Sequence, residues 1–148
     1  VSGEKEKYIK FRLDRGDLWR DIINQDLLIN PVFKRVFVDQ LPGDPFMLYT
    51  NASALPEYTD LNPVNQQYRA IGKRRFYELQ AENKLINVNG YEGAFCIEVW
   101  KYDPLKLAAE MSNDLPVVDP LSLYLSLRDN EDERVEMALE QIIEKFIW

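Results

Sequence analysis

Short runs of β-branched and aromatic residues, separated by turn-forming residues, indicate the strands of this chain. These runs occupy residues 32–38, 67–71, 85–88 and 94–102, and a shorter apolar run occupies residues 46–49. Between the last two strand candidates, Asn89-Gly90 is a strong tight-turn signal. The pattern therefore predicts about four strands, the last two of which are joined as a hairpin.

Apolar residues spaced three and four positions apart predict helices between these runs. They indicate one broken helix or two within residues 4–28, a helix over residues 72–81, and a short helix after Asp103-Pro104. Another short helix is expected to begin at Asn51 or Ser53, with Pro56 in its first turn. Strands and helices are thus interleaved along the whole chain.

The segment from residue 115 to residue 148 carries two helix starts, a turn and a long apolar stripe. Residues 121–127 fit either a helix or the two-residue repeat of a strand, and the cap formed by Asp119 and Pro120 decides for a helix. Asn130, with Glu133 three residues later, is expected to cap a second helix. The two helices are expected to pack on the sheet through Leu121, Tyr124, Leu125, Leu139, Ile142 and Phe146.

These elements together predict an α+β fold, a small mixed sheet of about four strands covered by helices and closing with a two-helix segment. A chain of 148 residues suits one domain, and a hydrophobic fraction of 46% excludes a disordered chain. We therefore expect residues 1–148 to form a single domain.

Five stretches, taken in order, resemble bacterial regulators related to the AbiEi antitoxins of type IV toxin-antitoxin systems. They are NPVFKRVFVD (30–39), ASALPEYTDLNP (52–63), YRAIGKRRFYEL (68–79), IEVWKYDP (97–104) and LPVVDPLSLYLSLRDNEDERVEMALEQII (115–143). Each stretch alone is a short pattern of apolar and turn residues, and their shared order carries the resemblance. The resemblance covers most of the chain from Asn30 onward.

The resemblance implies a transcriptional regulator in which an N-terminal winged helix binds DNA and a second, mixed α and β domain serves regulation or antitoxin function. A winged helix needs about three helices and a hairpin, and the segment before Asn30 is too short to supply them. We therefore expect this chain to be the second domain, a fragment that lacks the winged helix.

The charge of the chain agrees with that expectation. A net charge of -7 and a pI near 4.7 oppose a large phosphate-binding face. The basic run Lys73-Arg74-Arg75 is expected to be the solvated end of a helix. DNA is therefore expected to be bound only through a domain outside this chain. No apolar run approaches the roughly 18 to 20 residues of a membrane span, so a cytoplasmic protein without membrane contact is expected.

Side-chain chemistry narrows the function further. The sequence has no histidine and one cysteine, so it can form neither a Ser-His-Asp triad nor a Cys-His pair. Cys96 is expected to be a small buried hydrophobe, and no catalytic, cofactor-binding or metal-binding residue is predicted. We expect a regulatory or antitoxin domain that acts by protein–protein or ligand contact rather than catalysis, and not an enzyme. The alternative is a metal-dependent enzyme of nucleotide or nucleic-acid chemistry that uses Glu98, Asp103 and Asp119.

The strand candidate at residues 94–102 has two different faces. Cys96, Glu98 and Trp100 share one face, which marks a pocket or, more commonly, an exposed or edge face of a sheet. Aromatic residues exceed the need of one small sheet, and those left on the surface are expected to bind a partner protein domain or a second copy of the chain. The candidates for this contact are Trp100, Tyr102, Phe146 and Trp148.

Overall fold

The computed structural model describes residues 30–44, 46–107 and 117–147. The helix expected within residues 4–28 and the side chains of Phe146 and Trp148 lie outside this description. The elements are β1 (Val32–Val38), β2 (Leu48–Tyr49), α1 (Asn51–Tyr58), β3 (Gln67–Gly72), α2 (Lys73–Ala81), β4 (Phe95–Trp100), a 3₁₀-helix (Pro104–Leu107), α3 (Pro120–Leu127), α4 (Glu133–Ile142) and a π-helical turn (Ile143–Ile147).

The strands form one mixed sheet in the order β1-β4-β3-β2. The β1–β4 and β2–β3 pairs are antiparallel, whereas β3 and β4 are parallel. Because β3 and β4 are parallel, the chain must cross over between them, and α2 lies within that crossover. The predicted fold class is confirmed, since a mixed sheet of four strands is covered by helices and α3 and α4 close the chain.

Helices cover both faces of the sheet. On one face, Phe76 and Leu79 of α2 pack over Val36, Ile97 and Val99. On the other face, α1, α3 and α4 form the larger core, which includes Leu55, Leu121, Leu125, Leu139, Ile142 and Trp100. The central strand β4 has a neighbouring strand on each side and helices over both faces, and its residues from Cys96 to Trp100 are buried. None of the helices in the described ranges is long and apolar enough to cross a membrane.

The predicted hairpin between residues 85–88 and 94–102 is wrong. Residues 86–89 lie along the end of β1 instead, where Phe37 and Asn89 exchange two backbone hydrogen bonds of 2.8 and 3.0 Å. The Asn89 side chain accepts the N–H groups of Tyr91 and Glu92 and so stabilises the turn that follows this pairing. A strand buried on both faces, such as β4, belongs in the interior of a sheet, and β4 is already paired with β1 on one side and β3 on the other.

The two closing helices begin at different kinds of cap. The prediction for α3 is confirmed, because Asp119 Oδ2 accepts a 2.9 Å hydrogen bond from the Ser122 N–H. The prediction for α4 is wrong by two residues, because Asp132 caps this helix through the Arg134 N–H at 2.9 Å. Asn130 instead accepts the N–H of Asp132, in the loop before the helix.

We predict that Leu125→Ala or Leu139→Ala lowers the free energy of unfolding by about 2 to 5 kcal/mol, the range for truncating a buried leucine. Both side chains are buried in the larger core. Asp119→Ala should cost about 1 kcal/mol as a lost cap. Urea unfolding checks these values. Met137→Ala is the control, because Met137 is 66% exposed and its loss should change stability by less than about 0.5 kcal/mol. Neutral leucine substitutions would contradict this assignment of the core.

Candidate functional site

A buried carboxylate lies at the centre of the sheet. Glu98, in the middle of β4, is completely inaccessible to solvent. Its Oε1 atom accepts hydrogen bonds from the Thr50 hydroxyl (3.2 Å) and the Trp100 indole N–H (3.1 Å). Its Oε2 atom accepts hydrogen bonds from Arg35 Nε (3.0 Å) and the Asn51 side-chain amide (3.1 Å). We refer to these five residues as the Glu98 cluster.

The register of the sheet brings the charged pair together. Arg35 of β1 lies directly opposite Glu98 of β4 in the antiparallel ladder, so both side chains project from the same face. On the other side, Ala70 of β3 is the partner of Glu98, and its small side chain leaves room for the carboxylate. The pairing of the three strands thus places one cation beside the carboxylate and no bulky group against it.

The start of α1 supplies the other two donors. Thr50 is the N-cap residue of α1, yet its hydroxyl donates to Glu98 and does not cap its own helix. Asn51 has a φ of 50°, a left-handed conformation that is uncommon for a residue other than glycine. Its side chain donates to Glu98 and also accepts the N–H of Ala52 at 2.7 Å. The carboxylate therefore lies at the positive end of the α1 dipole, which stabilises its charge.

The hydrogen bonds of the cluster explain why the Glu98 carboxylate is tolerated in this core. An unpaired buried charge is costly, and each Glu98 oxygen has two donors. The Arg35 side chain is 41% exposed, so its guanidinium keeps contact with water while Nε reaches the carboxylate. The left-handed conformation of Asn51 costs on the order of 1 to 3 kcal/mol, and its contact with Glu98 holds it in place.

Cys96 lies two residues before Glu98 on the same face of β4. The thiol is fully buried, and burial together with the nearby Glu98 charge raises its pKa to about 12, an effect that Arg35 partly opposes. Burial also raises the pKa of Tyr68, the β3 partner of Cys96. The thiolate, which is the reactive form of cysteine, is therefore scarce in the folded protein at pH 7.

The structure places the predicted contact residues in different surroundings. Trp100 is fully buried, which corrects the expectation that it is available to a partner. Tyr102 is half-buried, with its ring edge-on to Trp100 at 5.7 Å and its hydroxyl 2.7 Å from Ser122 Oγ. The side chains of Phe146 and Trp148 lie outside the description, so their role in contacts stays a prediction.

The carboxylates of the alternative hypothesis do not converge. Glu98 is bound within its cluster, Asp119 caps α3, and Asp103 accepts the Leu105 N–H at 3.0 Å. In the ranges that the structure describes, no group of three or more Cys, Asp or Glu side chains could hold a metal ion. The proposed metal site of Glu98, Asp103 and Asp119 is therefore not assembled.

Sequence reasoning singles out Glu98 but misses its partners. A glutamate between Cys96 and Trp100 on one strand face is a visible signal, yet the more common interpretation, an exposed or edge face, is wrong because β4 is a central strand. Arg35 lies 63 positions away, and only the pairing of β1 with β4 brings it to Glu98. Neither Thr50 nor Asn51 carries a local signal of this contact.

Comparison with known proteins shows a partial similarity to a named relative. The chain is similar to hybrid peroxiredoxin hyPrx5 of Haemophilus influenzae, with 37% identity over 68 residues, which is 46% of this chain. The match spans 27% of the length of that relative. No protein-family model matches the chain, and no solved structure matches it.

This similarity corrects one expectation from the sequence. The relative is named as a peroxiredoxin, which is an enzyme, so the expectation that this chain is not an enzyme is contradicted. The similarity covers 46% of this chain and 27% of the relative. Cys96, the single cysteine of the sequence, is the candidate for thiol chemistry.

We predict that Glu98→Gln lowers the free energy of unfolding by about 1.5 to 3 kcal/mol, the value of a hydrogen bond to a charged group. In the variant, an NH₂ group replaces one carboxylate oxygen and faces hydrogen-bond donors of the cluster. The negative charge that attracts Arg35 is also lost. Thermal or urea unfolding measures the change. Glu140→Gln is the matched control, since Glu140 is exposed on α4 and should change stability by less than about 0.5 kcal/mol. Equal stability of the two variants would contradict this account of the cluster.

We predict that Cys96 reacts very slowly with a thiol-specific reagent at pH 8 in the folded protein and rapidly in denaturant. The physical reason is that the folded protein holds the thiol neutral until the pH approaches 12, whereas an unfolded thiol ionises near pH 8.5. Reaction of the folded protein should therefore accelerate as the pH rises above 8.5. Cys96→Ser should show no reaction. Immediate stoichiometric reaction of the native protein would contradict the prediction.

Proposed function

We propose that this chain is the regulatory, antitoxin-type domain of a bacterial transcriptional regulator, and that it acts in the cytoplasm by contact with a partner protein. The resemblance that suggests this role covers most of the elements that form the core. Residues 30–39 contain β1, residues 52–63 most of α1, residues 68–79 most of β3 and α2, residues 97–104 most of β4, and residues 115–143 both closing helices.

A concave surface beside the end of β1 is the observation that carries this proposal. Its volume is about 1050 Å³, and its lining combines tyrosines with side-chain amides. Tyrosine and asparagine are typical of surfaces that recognise proteins, because they bury area and form hydrogen bonds at low entropic cost. We call it the tyrosine surface; it is lined by Phe37, Asp39, Gln66, Tyr68, Asn87, Asn89, Tyr91, Glu92 and Gly93.

Exposed apolar side chains also lie in the segment that contributes to the tyrosine surface. Tyr91 is 90% exposed, and Ile86 and Val88 of the same segment are exposed as well. Three exposed apolar residues thus lie within six positions, and exposed apolar surface is a feature of contact sites. Asp39 and Glu92 add negative charge, and among the described residues no lysine or arginine lines this surface. The partner is therefore a protein that presents basic and apolar side chains.

The backbone beneath the tyrosine surface is fixed in place. A Cβ atom at Gly93 would lie 2.9 Å from the Val38 carbonyl oxygen, so the segment packs on β1 more closely than another residue would permit. Gln66 donates from its side chain to the Gly93 and Ala94 carbonyls at 3.3 and 3.2 Å. A surface held in this way loses little conformational entropy when it binds.

The test uses the full-length gene and a reporter driven by its own promoter. We expect the full-length protein to repress the reporter and to bind promoter DNA, whereas residues 1–148 alone bind no specific duplex because the chain is acidic. Glu92→Lys and Tyr91→Ala should alter repression at least about threefold while the DNA affinity of the purified protein stays the same, as expected for loss of one contact residue.

Met137→Ala is the control for this experiment, because Met137 is also exposed but lies on α4. A full-length protein that neither binds its promoter nor changes the reporter would overturn the proposal. If repression occurs and the Tyr91 and Glu92 variants behave as the parent, the regulatory role stands and the tyrosine surface is not its contact.

The similarity to a hybrid peroxiredoxin favours a second candidate function, thiol-dependent reduction of peroxides. The nucleophile would be Cys96, the single cysteine of the sequence. Because its thiol is buried and neutral, the reaction would require the structure to open around β4. Consumption of hydrogen peroxide with dithiothreitol as reductant, compared between the parent and Cys96→Ser, separates this function from the first.

A further inference from the structure

A second cavity lies at the opposite end of β3 and β4 from the tyrosine surface. Its volume is about 740 Å³, within the range of roughly 300 to 1,000 Å³ for small-molecule sites. It opens between the start of α2 and the turn after β4. We call it the cationic groove; it is lined by Lys73, Arg74, Arg75 and Lys101, by Phe46, Tyr77 and Tyr102, and by Gly72, Glu78 and Asp103.

The cationic groove lies at the carboxyl ends of two parallel strands, a common position for ligand sites. The parallel strands β3 and β4 end at Gly72 and Trp100, and the residues that follow both strands line the groove. In sheets with parallel strands, ligands bind outside the carboxyl ends of the strands, where the connecting segments diverge. The crossover through α2 creates such an edge in this small sheet.

The free cations of the groove come from two separate segments. Arg74, in the first turn of α2, and Lys101, after β4, are exposed and form no ion pair with the described residues. Arg75 is already used, since it binds Asp44 at 2.6 Å and so fixes the wall that carries Phe46. Arg74 and Lys101 therefore remain to bind an anion.

The basic residues at the start of α2 lower the stability of this helix in the absence of a ligand. Lys73, Arg74 and Arg75 are the first three residues of α2, where the helix dipole is positive and cations are unfavourable by about 0.3 to 1 kcal/mol each at the surface. No acidic residue lies in this turn, and no side chain caps it. A bound anion would reverse this unfavourable arrangement.

Gly72 lets the backbone come close to the groove. A Cβ atom at this position would lie 3.2 Å from the Asp103 Cα, so the turn between β3 and α2 packs against the residues after β4. Tyr77 and Phe46, which also line the groove, are 41% and 40% exposed. Flat aromatic surfaces of this kind stack with nucleobases, and cations nearby bind the phosphate.

We propose that the cationic groove binds a nucleoside phosphate, with its phosphate groups at Arg74 and Lys101 and its base against Tyr77 and Phe46. The cavity accommodates one small ligand. Duplex DNA would need many more cations than the groove supplies in a chain of net charge -7. This binding is independent of the regulatory role, because it is measured on the chain directly.

The test is calorimetric titration of residues 1–148 with ATP, GTP, inorganic pyrophosphate and a 20-base-pair duplex at 0.15 M salt. We expect ATP or GTP to bind, and the double variant Arg74→Gln/Lys101→Gln to weaken that binding at least about tenfold, which corresponds to 1.4 kcal/mol. Tyr77→Ala should weaken the nucleotide but leave pyrophosphate binding unchanged. Both cations are exposed, so the double variant should unfold at the same temperature as the parent.

The matched control is Arg134→Gln, because Arg134 is an exposed cation on α4, which packs on the other face of the sheet. It should change nucleotide binding less than about twofold, since exposed charges beyond a Debye length are largely screened. Absence of binding at millimolar ATP and GTP would overturn the proposal. So would binding that the double variant retains, pyrophosphate binding as tight as that of ATP, or a duplex that competes for the groove with higher affinity.

Discussion

The structure depends on the burial of one negative charge at a point where three segments of the chain meet. The Glu98 carboxylate is accommodated in the core because β1, β4 and the start of α1 each direct a donor at it. The same contacts fix the position of α1 on the sheet. One residue therefore links the register of the strands to the placement of a helix, two features that the apolar core alone would leave less specific.

The central position of β4 follows from the same arrangement. A strand covered on both faces must satisfy its polar side chains inside the protein, and Glu98 does so on the face of the larger core. Cys96 shares that face, and its neutral thiol is a consequence of the surroundings that Glu98 needs. The chain is therefore partly similar to a peroxiredoxin, yet the environment of its single cysteine disfavours the thiolate.

Local signals in the sequence define individual elements well and their partners poorly. Residues 32–38 form β1 as predicted, because β-branched and aromatic residues favour a strand wherever it lies. The cap at Asp119 predicts α3 for a similarly local reason. The partner of a strand is not determined by local signals. The Asn89-Gly90 turn signal indicates a hairpin between residues 85–88 and β4, but in the structure β4 pairs with β1 and β3. The Glu98 cluster could not be predicted in full because its members meet only through that pairing.

The pairing of β1 with β4 also constrains how the chain folds as it is synthesised. Arg35 and Glu98 are 63 positions apart, so β1 leaves the ribosome long before its partner strand exists. Until then, the backbone N–H and C=O groups of β1 that will pair with β4 remain unpaired. Such an edge is open to pairing with other chains. Contacts between such distant residues slow folding, because a long loop must close before they form. Completion of the sheet, and with it the enclosure of Glu98, is therefore expected to be a late event in the folding of this domain.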